Sequence, residues 1–222
     1  MKNMLKWIAG LFVFVFSVTS LYAQQAAFYN DIQNFKKKDA EKMPAAHSIL
    51  FVGSSSFTKW TDVQDYFPSY PIINRGFGGS TLPDVIRYAD DIIFPYQPKQ
   101  IVIYCGENDL AASDTVTATM VTDRFKTLFG MIRKKLGDVP VLFVSLKPSP
   151  SRSRLFTKMI AANTAIKTFL LENKKAAFAD VYYRMLDSDG EPLKDIFLGD
   201  NLHMNAKGYA IWQKVLEPYL VK

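Results

Sequence analysis

Three consecutive serines, Ser54-Ser55-Ser56, follow Gly53 and the apolar run Ile49-Leu50-Phe51-Val52. Far downstream stand Asp200 and His203, three residues apart, and His203 is one of 2 histidines in the chain. A hydroxyl is a weak nucleophile until a base takes its proton, and the base must itself be oriented by a third group. A serine at the end of a strand, an imidazole and a carboxylate supply those three roles. The residues alone do not choose among Ser54, Ser55 and Ser56.

Two further segments suit the same chemistry. Gly76-Phe77-Gly78-Gly79-Ser80 and Gly106-Glu107-Asn108-Asp109 each follow a predicted strand. Attack of a serine on an acyl carbon creates an oxyanion, and each well-aimed donor stabilises it by about 3 kcal/mol. Glycine lets a backbone N–H approach a substrate closely, and the Asn108 amide is a neutral donor at every pH.

The elements that must position these groups read as alternating strands and helices. Strands are expected at Ser48–Val52, Ile72–Asn74, Gln100–Cys105, Val139–Ser145 and Ala177–Val181. Most are continuous in Val, Ile, Leu and Phe, as strands buried on both faces of a parallel sheet are. Residues 24–47 read as a leading helix. Val116, Met120, Leu128 and Ile132 form one helical stripe, with Gly137 where a C-cap would stand, and Leu155, Met159, Ile166 and Leu170 form another. A closing helix over Ala206 to Leu220 has Asn205 as its N-cap. The expected fold is an α/β/α three-layer sandwich, flavodoxin-like, with a doubly wound parallel sheet of five strands. In the order 2-1-3-4-5 the serine loop lies between the glycine loop and the Asn108 loop, at the carboxyl edge where such sheets carry their sites.

These blocks, in this order and spacing, resemble the SGNH hydrolases, also called GDSL esterases. The resemblance runs from about Ile49 to Tyr209. It selects Ser55 as nucleophile, His203 as base and Asp200 as its orienter. It also implies an oxyanion hole from the N–H of Ser55, the N–H of Gly79 and the amide of Asn108. One position departs from the pattern: Ser54 stands where the family has Asp before its serine. The Gly-x-Ser-x-Gly elbow of the α/β-hydrolases is absent, because Phe57 occupies the second glycine position.

Plainer roles suit several neighbours. A Gly-Ser turn after a strand is most often a polar loop, Gly76–Gly79 can be a turn into a helix with Pro83 in its first turn, and Asn108-Asp109 can cap the helix after the third strand. Glu107 reads as a loop residue near the site rather than an acid catalyst. Arg75 reads as a salt-bridging residue and Lys147 as a structural one. Trp60 and Phe77 default to the core, and Cys105 to a small buried hydrophobe.

Composition limits the remaining classes. Lys2 and Lys6, the apolar Ile8 to Val18 and the ending Leu21-Tyr22-Ala23 read as a signal peptide cleaved after Ala23. That divides the chain into a leader, 1–23, and one hydrolase domain, 24–222. Loss of the two leader lysines takes the net charge from +6 to +4. Without an aromatic-interleaved basic stripe, nucleic-acid partners are not expected. A single Cys and 2 His make a zinc site improbable, and the proposed chemistry needs no cofactor.

The leading expectation is an exported enzyme, periplasmic or extracellular, without stable membrane insertion. It would hydrolyse short acyl esters of small molecules or glycans, with carbohydrate O-acetyl esters favoured. The alternatives are a small-lipid esterase of the same family and a flavodoxin-like phosphate or FMN binder. The last of these leaves Asp200 and His203 without a task.

Overall fold

The computed structural model describes residues 26–222, so the expected leader lies outside the described residues. The strands are β1 (Ile49–Gly53), β2 (Ile72–Gly76), β3 (Gln100–Tyr104), β4 (Val141–Val144) and β5 (Ala176–Ala179). All neighbouring pairs are parallel, in the order β2-β1-β3-β4-β5. The helices are α1 (Tyr29–Glu41), α2 (Ser55–Thr58), α3 (Val63–Tyr66), α4 (Leu82–Arg87), α5 (Ala89–Ile92), α6 (Glu107–Ala112), α7 (Ala118–Leu136), α8 (Phe156–Leu171) and α9 (Ala206–Leu216). The expected sandwich and strand order are those observed.

Alternation along the strands separates two cores. Leu50, Val52, Ile101, Ile103, Val141 and Phe143 face the layer made by α1, α4, α5, α7 and α8. Ile49, Phe51, Val102, Tyr104, Leu142 and Val144 face α2, α3 and α9. β1 and β3 are buried along their whole length, whereas the edge strands β2 and β5 are partly open.

Strand ends differ from the sequence expectation. Pro140 has no N–H for the ladder, and β4 starts after it. β5 stops at Ala179 because the next amides leave the ladder: the N–H groups of Val181 and Tyr182 donate to Ser145 Oγ at 2.9 and 3.0 Å. The stripe expected around Val116 is also corrected. Val116 precedes α7, and Met120 is exposed, while Val121, Phe125, Leu128 and Ile132 point inward. Counting the period from a residue outside the helix set the wrong phase. The expected ends held: Gly137 closes α7 at φ 61°, and Asn205 caps α9 by accepting from the N–H of Lys207 at 2.9 Å.

Gly53 is where the fold makes room for the site. It pairs with Gly76 on one side and Tyr104 on the other, at φ 150°. A Cβ there would lie 1.9 Å from the Tyr104 carbonyl oxygen. That oxygen accepts the N–H of Ser54 at 3.1 Å and cannot retreat without breaking the turn. Gly53→Ala is therefore expected to destabilise the protein by more than about 4 kcal/mol. Thermal melting of the variant checks this, and a melting temperature within a few degrees of the parent would show the contact to be relieved elsewhere.

Candidate active site

The loops after β1, β2 and β3 leave the sheet at one edge, because Gly53 is level with both Gly76 and Tyr104. After Gly53 the chain turns at once into α2. The Ser54 carbonyl accepts from the N–H groups of Phe57 at 3.0 Å and Thr58 at 3.2 Å. Ser55 opens this helix, so its own N–H has no carbonyl one turn back to accept it. Asn74 holds the far end of α2: its Nδ2 donates to Phe57 O at 2.7 Å, and its Oδ1 accepts from Gly76 N at 2.9 Å.

The last strand-to-helix connection approaches from the other direction. Phe197 and Met204 form an antiparallel bridge, and the N–H of Leu198 donates to His203 O at 2.7 Å. An aromatic cluster locks this segment onto the serine turn. Trp60 stacks on Tyr209 at 4.7 Å between centroids, and Trp212 meets Phe57 edge-on at 6.0 Å. The buried Tyr209 hydroxyl donates to Ser56 O at 2.8 Å, which joins α9 directly to α2. The Trp60 indole N–H is buried without a hydrogen-bond partner among the described residues.

These contacts bring Ser55, His203 and Asp200 into one hydrogen-bonded chain. His203 Nε2 is 3.0 Å from Ser55 Oγ, and His203 Nδ1 is 2.6 Å from Asp200 Oδ2. A carboxylate can only accept. Nδ1 therefore carries the hydrogen, and Nε2 is left to accept from the serine hydroxyl. Asp200 Oδ1 also accepts the N–H groups of Leu202 at 3.0 Å and His203 at 2.9 Å. The His203 ring, then its backbone N–H, hold the Asp200 carboxyl well below the usual carboxylate range. Ser54 and Ser56, by contrast, are buried, while Ser55 is partly open.

The two flanking loops meet beside this chain. Gly78 lies next to Ser55: a Cβ built on it would be 3.9 Å from the Ser55 Cβ. Gly79 is exposed at φ 86°, a conformation in which a larger residue would be strained. Asn108 Nδ2 donates to Ser80 O at 3.1 Å. One amide hydrogen thus orients the side chain, and a second remains for another acceptor. Ser80 in turn donates from Oγ to Gly53 O at 3.2 Å, closing the ring of loops.

Other expectations resolve plainly. Arg75 pairs with Asp39 of α1 and donates to the Tyr96 hydroxyl at 2.6 Å, tying α1 to the sheet. Trp60, Phe77 and Cys105 are fully buried, and burial pushes the Cys105 thiol well up. Asn108 and Asp109 do not cap the helix after β3. α6 starts at Glu107, with Gly106 as its N-cap. Asp109 serves α4 instead, accepting from Leu82 N at 2.9 Å, and pairs with Arg124 at 2.7 Å.

The sequence reading missed one polar cluster under the site. Glu107 is buried, receives Lys147 Nζ at 2.9 Å and bonds to the Tyr104 hydroxyl. Burial, with the Glu107 charge beside it, pushes the Tyr104 hydroxyl well up. Removing one member of such a pair leaves an uncompensated charge and costs about 3–5 kcal/mol. Glu107, expected in a loop, opens α6 instead, and Lys147, expected to be structural, is its partner.

A hydroxyl on an oriented imidazole, with donors on two adjoining loops, is equipped for acyl transfer. The sequence matches the GDSL-like Lipase/Acylhydrolase family over residues 48–211, and the chain belongs to that family, whose chemistry is ester hydrolysis. No curated protein matches the sequence.

Solved structures show the same fold at low identity. A Streptococcus pneumonia protein assigned as a platelet activating factor is 20% identical at a TM-score of 0.75, with 86% of this chain and 92% of that one covered. A GDSL-like lipase from Bacteroides thetaiotaomicron is 20% identical at a TM-score of 0.71, covering 84% and 95%. An acetyl xylan esterase from Geobacillus stearothermophilus is 13% identical at a TM-score of 0.63, covering 81% and 99%.

Proposed function

We propose that this chain is an exported serine esterase that removes short acyl groups, acetyl foremost, from carbohydrate hydroxyls. The observation that carries the reading is the chain Ser55–His203–Asp200, with contacts of 3.0 and 2.6 Å. Ser55 Oγ attacks the acyl carbon as His203 Nε2 takes its proton. The carbonyl electrons move onto oxygen, where the N–H groups of Ser55 and Gly79 and the free Asn108 N–H would receive them. Collapse expels the alcohol, protonated by His203, and leaves an acyl-serine. Water then repeats the sequence, releasing the acid and restoring Ser55.

The rim of the site favours a polymeric or glycan ester. Gly78, Gly79, Asp200 and Asn201 are exposed, so an acyl group projecting from a chain of sugars can reach Ser55 without being engulfed. The fold shared with an acetyl xylan esterase supports the same substrate class. Export rests on the basic start and apolar run of residues 2–23. Among the described residues no helix is long and apolar enough to cross a membrane.

Acyl-length profiling tests the substrate. With acetyl, butyryl and octanoyl p-nitrophenyl esters, kcat/KM is expected to fall as the chain lengthens, and acetylated xylooligosaccharides should release acetate. A preference for octanoyl would make the enzyme a lipid esterase. The N-terminal mass of protein recovered from the envelope or medium should begin at Gln24. Recovery of the full-length chain from the cytosol would remove the export claim.

A further inference from the structure

Beneath the site, the segment after β4 converges on one buried carboxylate, Glu107 at the start of α6. Glu107 adjoins Asn108, the amide donor. From the segment after β4, Lys147 Nζ reaches Glu107 Oε2 at 2.9 Å, and Ser149 Oγ lies 3.4 Å from Glu107 Oε1. Arg152 Nε stands 4.0 Å from the same oxygen. Glu107, Lys147 and Ser149 are each buried to within 4% of complete.

The same segment grips the imidazole loop. Ser149 Oγ lies 3.4 Å from Leu202 O, one residue before His203, and the N–H of Ser151 donates to Asn201 O at 3.0 Å. A hydroxyl has one hydrogen, so Ser149 donates to Glu107 or to Leu202 at any instant, while Lys147 holds the segment to Glu107 and the Ser151 N–H holds it to Asn201 in either state. A buried ion pair adds little net stability over apolar side chains of the same size. Its position between the Asn108 loop and the His203 loop calls for another reason.

We infer that Glu107, Lys147 and Ser149 are positioning residues that set the Asn108 amide and the His203 ring against Ser55. The inference rests on the serine-esterase reading. None of the three need touch substrate: they act by fixing the spacing between the donor loop and the base loop. Misplacement of either loop by about an ångström lowers the rate without weakening substrate binding.

The test uses the purified mature protein. The double variant Glu107→Gln/Lys147→Met removes both charges at nearly constant volume, and Ser149→Ala removes only the hydroxyl. For each, kcat and KM on p-nitrophenyl acetate are measured per site labelled by a fluorophosphonate, together with thermal melting.

Both variants are expected to melt within a few degrees of the parent. Their kcat should fall by between about tenfold and 10²-fold, with KM within about twofold. A purely structural pair would return parental kcat with parental melting, and recovery to within about twofold in either variant overturns the inference. Should the double variant not fold, Ser149→Ala decides alone. Ser55→Ala, assayed per mole of folded protein, separates the two claims. Full activity there removes Ser55 as the nucleophile and with it the site reading on which the inference rests, whereas its loss beside parental rates in the network variants removes only the positioning role.

Discussion

Ser55→Ala is expected to lower kcat for ester hydrolysis by about 10⁴-fold or more while leaving the fold intact. Ser55 Oγ is the hydroxyl 3.0 Å from His203 Nε2, and alanine leaves nothing for that base to activate. Ser55 is partly open and opens α2, so its loss removes chemistry rather than core packing. Ser54→Ala and Ser56→Ala are the matched comparisons. Ser54 is buried and works through its backbone: its N–H donates to Tyr104 O, and its carbonyl accepts from α2. Its side chain makes no capping bond to the helix. Ser56 is likewise buried, and it is the Ser56 carbonyl that receives the Tyr209 hydroxyl. Both variants should retain activity within about tenfold, a change equal to 1.4 kcal/mol in barrier height. Full activity in Ser55→Ala with loss in Ser54→Ala or Ser56→Ala would move the nucleophile to the other serine.

Asp200→Asn is expected to reduce kcat by on the order of 10³-fold. The substitution keeps Oδ1 for the N–H groups of Leu202 and His203, so the loop survives. It presents an N–H where Oδ2 now receives His203 Nδ1. Two donors cannot share that contact. The ring must carry its hydrogen on Nε2, and it can then no longer accept from Ser55. At a wholly buried carboxylate the loss is about 10⁴-fold. Asp200 is 47% exposed, so water can accept the Nδ1 hydrogen in its place in part of the population, and the expected loss is smaller. Measurement of kcat with melting temperature decides this, and a fall below about tenfold would make Asp200 a loop-forming residue only.

The pH dependence has a defined sign. Asp200 is depressed in the folded protein by its bonds to His203, so its ionised form is favoured on folding. The stabilisation it contributes is present above its ordinary value of 3.8 and is lost as the pH falls through the lower folded value. Across the range above 3.8 Asp200 therefore stays ionised, and any limb in the rate profile there belongs to another group. A limb that disappears in Asp200→Asn, yet leaves the alkaline plateau parental, would contradict this assignment.

What could be read before folding was local in character. Continuous apolar runs marked buried parallel strands, and Gly137 and Asn205 marked helix ends, because a cap or a burial pattern is written into a few neighbouring residues. Other departures came where distant groups intervened. Val181 and Tyr182 left β5 because Ser145, more than thirty residues earlier, took their N–H groups. Asp109, next to Asn108 in a capping-like string, turned out to serve α4 and Arg124 instead.

By itself the sequence determined a five-strand α/β sandwich and the order in which serine, glycine, asparagine, aspartate and histidine blocks meet its carboxyl edge. Family register pointed to Ser55, but the residue types alone left three serines equal. In the tertiary structure α2 buries Ser54 and Ser56 and sets Ser55 Oγ 3.0 Å from a ring 148 residues away. It also placed Lys147 against Glu107, 40 residues apart. Such pairings depend on where whole loops leave the sheet, and that is settled only when both cores have packed.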